Sequence, residues 1–127
     1  MDNTSLAHIT NTLNDWLRAL EFYKTELGIL KSRLTEIGGK NTGRDMLRLV
    51  EHYESQFALH QENIDKLSHD INATLAAIHE GLRHSHSQSP SDIVSQGYDL
   101  LAHRFETEET VVSELRRAFN RFSSVWM

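Results

Sequence analysis

Residues 6–37 read LAHITNTLNDWLRALEFYKTELGILKSRLTEI, and their apolar positions decide the fold. Leu6, Ile9, Leu13, Trp16, Leu20, Tyr23, Leu27, Leu30, Leu34 and Ile37 follow one another in steps that alternate between three and four. That spacing keeps one stripe of a helix apolar, and so long a stripe must face other helices. The same alternation returns twice. It runs through Met46, Val50, Tyr53, Phe57, His60, Ile64, Leu67, Ile71, Thr74 and Ile78, with Leu75 and Leu82 beside it. It runs again through Val94, Tyr98, Leu101, Phe105, Glu108, Val112, Leu115, Phe119, Phe122 and Trp126.

Two short breaks separate these stretches. Gly38-Gly39 closes the first, and Gly38 is expected to take the left-handed conformation that ends a helix. The stretch Gly38–Gly43 lies between two helices and reads as a turn, not as a phosphate-binding loop. Thr42 followed by Asp45 has the spacing of a capping box. The polar run His84-Ser85-His86-Ser87-Gln88-Ser89 reads as the second connection, and Ser89-Pro90 as a helix start with proline in the first turn. The expected helices therefore span 5–37, 42–83 and 90–125. Short connections make neighbours antiparallel. The fold class is all-α: an elongated, coiled-coil-like antiparallel three-helix bundle in a single domain, residues 1–127. Helices of this length would extend about 50–60 Å. The layout resembles a spectrin-type three-helix bundle in shape, including Trp16 in the first helix.

Composition agrees. The 127 residues are 39% hydrophobic with a single proline, Pro90, far too few turn residues for an all-β domain of this size. No cysteine is present, which excludes disulfides, zinc–thiolate sites and thiol nucleophiles. The first residues do not read as a signal peptide and no stretch has the length of a membrane span, so the expectation is a cytoplasmic protein without membrane insertion. A net charge of −5 argues against nucleic acid as the main partner.

Two polar side chains interrupt the seams, His60 and Glu108. Folding the helices back at the two turns sets His60 level with Tyr23 and Leu115, and Glu108 level with Trp16 and Leu67. A buried carboxylate needs a donor, for which the Trp16 indole or a nearby lysine or arginine would serve in a register-setting contact. On that reading Glu108→Leu stays folded and gains stability. Eight histidines are present. Four of them, His8, His79, His84 and His86, fall near one end of the rod and form a candidate metal site for zinc, nickel or copper. Their spacing matches no structural zinc pattern.

Lys31, Arg33, Lys40, Arg44, Arg48, Arg116, Arg117 and Arg121 gather at the opposite end, with acids among them. Several apolar residues lie off the seams. Phe22 and Ile29 are one heptad apart on an outward stripe of the first helix, and Leu59 is a third candidate for an interaction surface. No nucleophile elbow, dinucleotide fingerprint or zinc-protease helix occurs, and a three-helix rod offers little concave volume for a small molecule. The expectation is a non-enzymatic interaction or structural module without a cofactor, acting on a protein partner or as a homodimer. The alternative is a metal-binding helical protein using the histidine-rich end.

Overall fold

The computed structural model describes the backbone of residues 3–83 and 90–126, and the side chains of residues 6–81 and 97–126. Three helices fill it: α1 Asn3–Lys40, α2 Arg44–Arg83 and α3 Pro90–Trp126. They contain 38, 40 and 37 residues, so each extends about 55–60 Å at 1.5 Å per residue. Each helix packs against both others, which makes the fold an all-helical three-helix bundle.

The seams form the core. Leu13, Leu20, Leu27, Leu34, Ile37, Phe57, Ile64, Ile71, Val112 and Phe119 are almost wholly shielded from solvent. Leu6, Trp16, Leu17, Ala19, Tyr23, Val50, Leu75, Tyr98 and Phe122 pack around them half-buried. Rings concentrate at two levels. Trp16 stacks on Tyr98 and Phe105, with centroids 5.3 and 5.2 Å away. Nearer the first turn, Tyr53 meets Phe119 edge-on and Phe122 at a tilt, at 5.3 and 5.1 Å. Phe57 meets Phe119 edge-on at 5.4 Å. Aromatic pairs in these geometries add to the stability given by area burial alone.

The first turn differs from the sequence expectation in three respects. Helix α1 continues through Gly38 and Gly39 to Lys40, and no glycine has a positive φ among the described residues. Asn41 closes the helix instead, its side-chain Nδ2 donating to the Ile37 carbonyl at 2.9 Å. Gly38 is small for a packing reason: a Cβ there would lie 3.4 Å from Val50 Cγ2 across the α1/α2 contact. Nor does Thr42 cap α2. The first helical bond runs from the Leu47 amide to the Gly43 carbonyl at 3.0 Å, which makes Gly43 the cap residue. Trp126, the last seam position, is 43% exposed. It borders a depression formed with residues 40–46 of the first turn. At the other end, the Ser89 cap, Leu82 and Val94 fall outside the side chains described.

Candidate functional site

His60 and Glu108 are both 7% exposed, and they find each other. The His60 Nδ1 lies 2.8 Å from Glu108 Oε1. An ionised carboxylate only accepts, so the ring nitrogen is the donor. The pair bolts α2 to α3 inside the core. The partner of Glu108 is thus His60, not the Trp16 indole, which stacks on rings instead. Folding the sequence back at its turns sets the two residues a full heptad apart. That construction compares backbone levels only, and the 2.8 Å contact shows that the two side chains close the offset between them. No buried side-chain nitrogen or oxygen among the described residues lacks a partner. Removing only Glu108 would therefore orphan a ring N–H, so Glu108→Leu should lose stability, contrary to the gain expected from the sequence.

Glu108 also lines a shallow groove of about 310 Å³ between α2 and α3, with Asn63, Lys66, Leu67, His103, Arg104 and Thr107. Arg104 is held there by Asp70 at 2.7 Å, and Lys66 by Glu62 at 3.2 Å. Among the described residues His60 bonds only Glu108, so no hydroxyl is aligned on the ring as a nucleophile would be. The arrangement is that of a cross-link.

The α1/α3 contact carries polar links that the seam pattern alone does not reveal. The Tyr23 hydroxyl donates to Glu109 Oε2 at 2.8 Å. Burial, then the bond to Glu109 and its charge, push the Tyr23 pKa up to about 12, with Arg116 opposing. Arg116 Nη1 donates to both carboxylate oxygens of Glu26, at 2.8 and 3.1 Å. Between α1 and α2, Lys24 donates to Asp65 at 2.7 Å, and that bond raises the lysine pKa. The sequence signal of the Glu26–Arg116 and Lys24–Asp65 pairs is opposite charge at flanking heptad positions. Ser123, a buried polar residue beside the third seam, donates to the Asn120 carbonyl at 3.2 Å.

The other candidate residues separate. His8 and His79 are exposed, and His84 and His86 lie outside the described residues. Among the described residues no group of three or more histidine, aspartate or glutamate side chains could hold a metal. Phe22 and Ile29 stand 60% and 52% exposed, Leu59 46%. By helical spacing Phe22 and Ile29 share the flank of α1 that carries Glu26, which faces Arg116. Leu59 shares the flank of α2 that carries Asp70, which faces Arg104. They therefore occupy grooves on opposite sides of α3.

No family model, no curated protein and no solved structure matches this chain. No described helix is long and apolar enough to cross a membrane.

Proposed function

We propose that the chain is a non-enzymatic helical module that acts by helix-on-helix contact, as a homodimer in a reducing compartment such as the cytoplasm. The observation that carries this reading is the α1 stripe. Phe22 and Ile29 leave more than half of their surface in water, in a bundle that hides nearly all its seam residues. Exposed apolar pairs on one face mark interaction surfaces. Tyr23–Glu109 and Glu26–Arg116 lie beside the stripe, as a polar rim lies beside an interface core. A two-fold axis crossing α1 midway between the two residues would set the Phe22 of one copy against the Ile29 of the other, because a symmetric interface uses the same patch twice.

Sedimentation equilibrium tests this. The wild type should show twice the chain mass of 14.6 kDa. Phe22→Glu with Ile29→Glu should give the single-chain mass at unchanged helicity. A wild type that stays at the single-chain mass over the accessible concentration range refutes the homodimer.

A further inference from the structure

Charge is divided unevenly along the rod, and so are the ion pairs, although Arg116 at the positive end pairs with Glu26. Residues 29–54 and 114–126 hold eight of the thirteen cations and five of the eighteen acids, so this end is net positive. The remainder holds five cations against thirteen acids. In the body of the bundle Arg18, Lys24, Lys66 and Arg104 each have a carboxylate within ion-pair distance. At the positive end, Lys31, Arg33, Lys40, Arg44, Arg48 and Arg121 are exposed and have none among the described residues. The helix dipole accounts for cations at the ends of α1 and α3, but not for Arg44 and Arg48 at the start of α2.

The same end exposes apolar side chains. Leu47 is 52% exposed, Val125 74% and Trp126 43%. Trp126 borders a depression of about 470 Å³ formed with residues 40–46, which carry two cations, Lys40 and Arg44, and one carboxylate, Asp45. The cations come from all three helices and from several heptad positions, so they spread around this end, from Lys40 and Arg44 at the turn to Lys31 about 14 Å back along the rod, and do not line one groove. A peptide in a groove would need them on one side. A planar surface met end-on fits cations spread around an end that carries a tryptophan.

We propose that this end docks on an anionic lipid surface. The cations meet headgroup phosphates and carboxylates, Trp126 enters the interfacial layer, and the acidic body is repelled, so the rod stands away from the membrane. The contact is peripheral and reversible, and salt weakens it. It does not depend on the α1 stripe.

Vesicle co-sedimentation at low ionic strength tests the proposal with the full chain. Vesicles of phosphatidylcholine with roughly a third phosphatidylserine should bind the protein, and pure phosphatidylcholine should bind it far less. Lys40→Gln, Arg44→Gln and Arg48→Gln together should lower binding about tenfold to a hundredfold at unchanged circular dichroism. Trp126→Ala should weaken it further. Arg18→Gln with Lys66→Gln, which removes the same kind of charge from the body, should leave it unchanged. Binding that is absent, indifferent to phosphatidylserine, or lost equally with the body variant overturns the proposal. Equally tight, salt-sensitive binding to a DNA duplex overturns the assignment to lipid.

Discussion

Replacing His60 and Glu108 with leucine, singly and together, tests whether the buried pair acts as one unit. Each side chain is 9% exposed and the contact is 2.8 Å, so removing either partner leaves the other largely shielded from water. His60→Leu leaves a carboxylate without its donor in the core, which should cost about 3–5 kcal/mol. Glu108→Leu leaves a ring N–H without its acceptor, and about 1–3 kcal/mol should be lost. The double variant removes both polar groups and fills the space with hydrocarbon. It should come within about 1 kcal/mol of the wild type, or exceed it. The coupling between the positions is then about 3 kcal/mol or more, well above the additivity error of about 0.5 kcal/mol for independent sites. Urea denaturation followed by far-UV circular dichroism measures all four proteins. In heat, the His60→Leu protein should melt roughly 10–20 °C below wild type for a domain of this size. A double variant as unstable as the sum of its singles would refute the reasoning. It would mean that the pair is not a shared interaction and that each residue is held by something else.

Tyr23 supplies a pH prediction. Its pKa is raised from 10.0 to about 12 in the folded protein, so its contribution to stability is complete below pH 10 and fades as pH climbs toward about 12. Spectrophotometric titration should show Tyr53 ionising late because of burial and Tyr23 near pH 12, and Glu109→Gln should make only the Tyr23 step earlier; an unchanged curve would refute the Tyr23–Glu109 bond. Gly28 sits inside α1 with no positive φ, and a Cβ added there would meet nothing within 4 Å, so Gly28→Ala should raise stability by about 0.5–1 kcal/mol. Denaturation midpoints would show it, and a loss would mean that the position is crowded. Phe57 is fully buried between Tyr53 and Phe119, and Phe57→Ala should cost about 3–5 kcal/mol. A cost below about 1 kcal/mol would mean that the aromatic cluster does not form.

Much of the fold is legible because it is written in repetition. A three-four alternation over some thirty residues admits one reading, and Leu13, Leu20, Leu27 and Leu34 land in the core together because each is seven residues from the next. The turn is less legible, since a Gly-Gly pair can end a helix or let two helices approach. Here Val50 on the facing helix decides, and the sequence does not show what lies across a contact. The same limit applies at the site. His60 and Glu108 are conspicuous as polar residues on apolar seams, but their union depends on side chains closing the offset between backbone levels. Tyr23–Glu109 and Glu26–Arg116 combine residues far apart in the chain, and only the packing of α1 on α3 selects those pairs from many possible ones. The exposure of Phe22 and Ile29 follows from heptad position. Their separation from Leu59 follows only once the flanks of each helix have been matched to their neighbours.

The antiparallel three-helix arrangement underlies every contact above, and electron–electron distances between spin labels test it most directly. The absence of cysteine allows labels at introduced cysteines alone. Labels at Lys24 and Asp65, whose side chains touch at 2.7 Å, should be close, as should labels at Glu26 and Arg116. Moving the second label from Asp65 to His79 shifts it about 21 Å along the axis, at 1.5 Å per residue, so the first distance should lengthen by more than about 10 Å. The same values should persist when labelled protein is diluted with unlabelled chain. A long distance between Lys24 and Asp65, or a short one that disappears on dilution, would contradict a bundle folded within one chain.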